Sequence, residues 1–247
     1  MFTRLLVGLD GSPRADSALE QAVLLGERFH STVVVAHVRE PGGADGSAML
    51  DRARERLLAA ELQGEIVEET GAPDAVLAAL ARETDAVLLG RHGATSGNPL
   101  GPTVTSLIRH AGRCVIACAG VPSLMRSGAV AVDGGETSQR ALELAVRFAS
   151  VMNSTVHVIH AAADRDAGLK VLGAAEAELS MQRVAFGSHM EAGSPGEVIA
   201  RLVKRVGCDA LFAGAHMEQR AGRASVAGVS HVEEILRHTD IPVVVQP

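Results

Sequence analysis

The stretch Asp85-Ala-Val-Leu-Leu-Gly90-Arg-His-Gly93-Ala-Thr-Ser-Gly97-Asn-Pro-Leu-Gly101-Pro-Thr-Val-Thr-Ser-Leu-Ile-Arg109-His110 decides the fold. It opens with an apolar run, Ala86 to Leu89, that reads as a buried strand. A loop with glycines at 90, 93, 97 and 101 follows, and then a helix from about Thr103 to Ala111. A strand, a glycine-rich loop and a helix N-terminus together make a simple anion site. Glycines let backbone approach a phosphate, and the first amides of a helix have no intrahelical acceptor. The same loop also has a purely steric reading as a strand-to-helix turn.

Working outward, strands and helices alternate. Leu5–Asp10 is a short buried-type strand, and Ser12 and Pro13 are a good N-cap and first helical residue. The helix runs to about His30, with Ala18, Ala22, Leu25 and Phe29 at helical spacing. Ser31–Val38 is a second strand, Ala48–Leu62 a helix, Glu65–Thr70 a third strand and Pro73–Glu83 a third helix. The fourth strand and the helix after it are those described above, and Cys114–Ala119 is the fifth strand.

The pattern then repeats. Ala129–Asp133 matches the first strand, with Asp133 in the place of Asp10. At an offset of 123, Ala18-Leu-Glu20 falls on Ala141-Leu-Glu143, Ser31-Thr-Val33 on Ser154-Thr-Val156, and His37 on His160. Further on, Gly71 and Pro73 pair with Gly193 and Pro195, Asp85 to Gly90 with Asp209 to Gly214, and Arg109-His110 with Arg237-His238. Chance matches would not stay collinear through this many elements, so the chain is a duplication. The halves are 1–120 and 127–247, with Gly120 to Ser127 as the linker. Each is expected to be an α/β unit with a parallel, doubly wound, Rossmann-like sheet. Ligands in such sheets sit beyond the carboxyl ends of the strands, where strand order reverses. That directs attention to Asp10-Gly11 and to Gly90 onward, and to Asp133 and Gly214 as their counterparts.

Composition excludes several classes. The chain has 247 residues, 47% of them apolar, enough for a full core. No apolar run reaches the roughly 18 residues of a bilayer span, and the N-terminus enters a strand pattern without a signal-peptide layout. A net charge of −6 with scattered Lys and Arg argues against a nucleic-acid partner, as does the absence of Trp and Tyr. Cys114, Cys118 and Cys208 have no metal-ligand spacing and read as small buried hydrophobes, which fits a cytoplasmic location.

In these residues the chain resembles the universal stress protein family in its tandem form. The carriers are Leu6 to Ser12, Gly71-Ala-Pro73, Leu88-Leu-Gly90-Arg-His-Gly93 and Leu107-Ile-Arg-His-Ala111, repeated by Ile235-Leu-Arg-His238 and Ile241-Pro-Val-Val-Val245. The resemblance implies a five-stranded parallel sheet per half in the order 3-2-1-4-5. It also implies packing of the last strands between halves, a pseudo-dimer within one chain, and allows a homodimer of chains.

Nucleotide-binding members carry Gly-x2-Gly-x9-Gly-(Ser/Thr). Here Gly90 and Gly93 are kept, but seven residues separate Gly93 from Gly101, and Pro102 takes the hydroxyl position. In the second half Met217 replaces the second glycine and Val229 the third. The resemblance therefore favours the first half as a site for an adenine nucleotide, ATP with magnesium or AMP. Asp10 and Gly11 would face the adenosine and the backbone of Val38 the adenine. Gly90 and Gly93 would meet ribose and phosphate, and Gly101 with Thr103 the distal phosphates.

Bland readings stand beside these. Asp10 before Gly-Ser-Pro is also a good turn residue and Ser12 a cap; Arg91 and His92 are placed to meet phosphate, but solvent exposure on the loop is the commoner fate and the expectation. His157 and His160 point to opposite faces of one strand, and His189, His216 and His231 show no paired spacing. No nucleophile elbow, lysine-bearing phosphate loop or carboxylate cluster is present, so no catalytic or metal residue is assigned. The expected function is stress-response binding and not turnover. A nucleotide-free interaction module acting through protein partners is the alternative, and an ATP-hydrolysing enzyme a more distant one.

Overall fold

The computed structural model describes residues 1–40, 45–91, 100–215 and 227–247. The chain divides into two compact units, Met1–Ser123 and Leu124–Pro247. The first contains β1 (Arg4–Leu9), α1 (Pro13–Phe29), β2 (Thr32–Arg39), α2 (Ser47–Ala59), β3 (Gly64–Thr70), α3 (Pro73–Ala81), β4 (Ala86–Gly90), α4 (Pro102–His110) and β5 (Cys114–Cys118). The second contains β6 (Ser127–Ala131), α5 (Glu136–Met152), β7 (Thr155–Ala161), α6 (Arg165–Met181), β8 (Phe186–Glu191), α7 (Pro195–Val206), β9 (Ala210–Gly214), α8 (Ala227–His238) and β10 (Val243–Gln246).

The strand order in the first unit is β3-β2-β1-β4-β5, and in the second β8-β7-β6-β9-β10. Within each unit the pairs are parallel. This is the doubly wound order 3-2-1-4-5, and the first unit shows why it is covered on both faces. The Cβ direction of Gly8 on β1 meets Leu77 of α3, whereas that of Gly90 on β4 meets the first turn of α1. Carrying the register Val7↔Leu88 on by two residues sets Leu9 beside Gly90, so successive residues alternate between the α3 side and the α1 side.

Leu5, Leu6 and Val7 are wholly buried, as are Val87 and Leu88, which is why both strands read as unbroken apolar runs. Each such side chain contributes on the order of 1.5–3 kcal/mol on leaving water. In the second unit Phe148 of α5 packs on Phe212 of β9, with ring centroids 5.5 Å apart.

Several element ends differ from the expectations by a residue or more, and three of them have a visible cause. α2 stops at Ala59 and not Leu62, because Glu61 turns into the left-handed region at φ 55° and the Leu62 amide returns to Leu57 O. α3 stops at Ala81 and not Glu83, since the next three amides reach back only three residues. β6 begins at Ser127, inside the expected linker, where the Asp209 carboxylate accepts the Arg126 and Ser127 amides.

Candidate functional site

The crevice is built at the carboxyl ends of β1 and β4. β1 ends at Leu9, and Asp10 follows, exposed. Its Oδ1 accepts the Ser12 amide at 3.0 Å, Gly11 sits at φ +78°, and the buried Ser12 hydroxyl accepts the Ala15 amide at 3.2 Å. Asp10 thus closes an Asx turn and Ser12 caps α1. The second unit repeats the turn: Asp133 Oδ1 accepts the Gly135 amide at 2.8 Å, with Gly134 at φ +82°.

Val38 is half-buried on β2, which pairs with β1 only as far as His37 but with β3 as far as Arg39. β2 therefore overhangs the end of β1, and Val38 lies on that overhang. His37 steadies it, its Nδ1 standing 2.9 Å from Leu9 O. His160 makes the equivalent contact to Val132 O at 2.6 Å. The recurrence of this bond assigns the duplicated histidines to holding neighbouring strands together.

Gly90 ends β4. A Cβ there would stand 2.8 Å from the Arg14 carbonyl carbon and 3.0 Å from the Ala15 nitrogen. Its lack of a side chain is accounted for by close approach of α1, before any ligand is considered. The same holds at Gly214, whose Cβ direction runs into Thr137 and lies 2.7 Å from the Ser138 nitrogen.

Gly93 lies outside the described residues, as do His92 and Met217. Arg91 is described and departs from expectation: it is 4% exposed, not a solvated loop residue. The reason is cross-strand. Gly90 pairs with Cys118, which places Arg91 at the covered end of β5, close enough for its charge to act on the Cys118 thiol.

The Arg91 carbonyl also accepts the Gly101 amide at 2.6 Å. Gly101 is the N-cap of α4, with no side-chain cap, and Pro102 has no amide hydrogen to give. Thr105 donates its hydroxyl to Gly101 O at 3.2 Å. The helix donors left without an intrahelical acceptor are the Thr103 and Val104 amides, and Thr103, half-buried, adds its hydroxyl.

Sequence reading missed Arg14. It is half-buried in the first turn of α1, beside Gly90, and its Nη1 lies 3.9 Å from the Cβ direction of Gly120 just past β5. No salt bridge or hydrogen bond holds its guanidinium among the described residues. A lone arginine after Ser-Pro has no periodicity to mark it. Its counterpart at the 123-residue offset is Thr137.

Sequence reading also missed a histidine pair. Strand pairing brings His189 to His157, whose ring nitrogens lie 3.2 Å apart. Linear spacing could not show this, because the two meet only through the register of β7 with β8.

All three cysteines are buried and free. Burial pushes the Cys114 and Cys118 thiols up to about 12 and Cys208 to about 11, so they are not thiolate nucleophiles at neutral pH. Among the described residues no helix is long and apolar enough to cross a membrane, and no three His, Cys, Asp or Glu side chains converge on one point.

Two doubly wound α/β units in one chain, each with an Asx turn after its first strand and a glycine closing its fourth, define a duplicated Rossmann-like protein. The sequence model of the universal stress protein family matches residues 1–117 and again 128–247, and the chain belongs to that family. A universal stress protein from Archaeoglobus fulgidus DSM 4304 superposes with a TM-score of 0.79 at 19% identity, covering 98% of this chain and 97% of that one. A functionally unknown protein from Pseudomonas aeruginosa PAO1 gives 0.78 at 16% identity, over 99% of this chain and 92% of that one. A universal stress protein solved in complex with cAMP matches 46% of this chain and 94% of its own length, with 23% identity and a TM-score of 0.41. No curated protein matches the sequence.

Proposed function

We propose that the first unit holds an adenine nucleotide in the crevice beyond β1 and β4, and that the chain acts in stress response by binding and not by turnover. The observation that carries this reading is the convergence on that crevice of Asp10, the Val38 overhang of β2, Gly90 and the Gly101-capped start of α4. Adenine would lie along the backbone at Val38, and the ribose beside Asp10 and Gly11. The phosphates would take the Thr103 and Val104 amides and the Thr103 hydroxyl. Arg14 offers them a cation where the matching position of the second unit is Thr137. Gly93 belongs to the same reading through the family pattern. Magnesium, where ATP is the ligand, would be held mainly by the phosphates.

A second reading has its own observation. With the Gly101 amide already given to Arg91 O and Pro102 unable to donate, α4 offers fewer phosphate donors than an open helix start. That favours a nucleotide-free module working through a protein partner.

One experiment separates the two. Freshly purified protein is denatured, and the released material is resolved by ion exchange; ATP with magnesium is then titrated into the native chain by calorimetry. One adenine nucleotide per chain is expected. Two per chain would overturn the assignment to the first unit alone, and none, with no heat on titration, would overturn the nucleotide reading in favour of the second.

A further inference from the structure

His157 on β7 and His189 on β8 stand diagonally on one face of the second unit, since His157 is in register with Gly187 and Ile159 with His189. Nδ1 of His157 and Nε2 of His189 are 3.2 Å apart. Gly187 leaves the space beside both nitrogens open: a Cβ there would lie 3.1 Å from His157 Nδ1 and 3.4 Å from His189 Nε2. Both rings are half-buried, so solvent reaches them.

We propose that this pair is a binding site for a divalent transition-metal ion of the imidazole-preferring class, with copper(II) the tightest-bound member. A metal–imidazole bond of about 2.0–2.1 Å puts two nitrogens on one ion about 2.9 Å apart at a right angle and about 3.3 Å apart at the tetrahedral angle. The observed separation falls between these, so the two nitrogens already stand at a chelating distance, and turning the rings aims both lone pairs at one ion. The protons balance without a net loss. In the free pair one facing nitrogen donates to the other; on binding, the donor ring shifts that proton to its outer nitrogen, and both facing lone pairs become ligands.

Burial and the neighbouring His189 keep His157 below the usual histidine range, and burial and Arg205 do the same for His189, so few protons compete with the ion. The adjacent carboxylate, Glu191, is engaged by Arg201 and Arg205 of α7. It supplies no third ligand, which leaves the remaining coordination positions to water. The nearby Arg205 charge limits the affinity.

The test titrates the chelator-treated full chain with copper(II) by calorimetry and records its electron paramagnetic resonance at one equivalent. The parent is expected to show one preferred site with two nitrogen couplings. His157→Gln and His189→Gln should each weaken that step at least tenfold. Gly187→Val should weaken it with both imidazoles intact, while His110→Gln, an exposed control, should leave it unchanged. Parent-like affinity in His189→Gln, or fewer than two nitrogen couplings in the parent, would overturn the proposal.

Discussion

A methyl group at Gly90 would enter the backbone of α1, 2.8 Å from one Arg14 atom and 3.0 Å from an Ala15 atom, where no flexible side chain can move aside. Gly90→Ala is therefore expected to cost about 1–3 kcal/mol, as overpacking does, read as a lower denaturant midpoint. An unchanged midpoint would mean that α1 does not approach as described. At this scale the sequence was only partly legible. Asp10, Gly11 and Ser12 announce a turn and a cap in three consecutive residues, and that is where they are found. Arg91 looked like a loop residue, and its burial depends on Cys118, a neighbour twenty-seven positions away that only the β4–β5 register supplies. The histidine pair was hidden for the same reason.

At the scale of the element, α4 is where chemistry and helix geometry meet. Proline suits a first helical position because that amide lacks an acceptor anyway, so Pro102 is good for the helix and poor for an anion. Pro102→Ser restores an amide hydrogen and a hydroxyl at an exposed position. Stability is expected to move by no more than about 0.5 kcal/mol, the usual range for such surface changes. ATP affinity, followed by calorimetry, is expected to rise several-fold. A Pro102→Ser chain that binds ATP no better than the parent would indicate that phosphates do not reach this helix start. The strands and helices themselves were legible, because period and caps are local. Their ends were less so: α2 stops early through the left-handed Glu61, a residue with no glycine to advertise the turn.

For the whole molecule, the duplication extends below the level of sequence. The Asp85 carboxylate takes the Thr3 and Arg4 amides at 2.6 and 3.0 Å, and Asp209 takes those of Arg126 and Ser127 at 3.0 and 2.8 Å. Each clamp fastens the start of a first strand to the start of a fourth. Asp85→Asn and Asp209→Asn are each expected to cost about 1–2 kcal/mol at neutral pH, as charge-assisted bonds are lost, and the two losses to add, since each falls within its own unit. Burial alone would raise the Asp85 carboxyl, but the Thr3 hydroxyl, the two amides and the N-terminal ammonium outweigh it and hold the group below its ordinary value. The stability it contributes is present above about pH 4, the ordinary aspartate value, and drains away as the pH falls through the depressed one. Urea unfolding at pH 7 and pH 3 should show a shallower acid loss in Asp85→Asn than in the parent. Not every part is duplicated. Gln21, fully buried on α1, donates its side-chain amide to Ser123 O at 3.0 Å and accepts the Ser123 amide at 2.8 Å. The matching position in the second unit, at the same offset of 123, is Leu144. A leucine has neither donor nor acceptor in its side chain, so this contact is not repeated at the matching position. The chain therefore leaves its first copy from a tethered point, and that tether is written into a single glutamine.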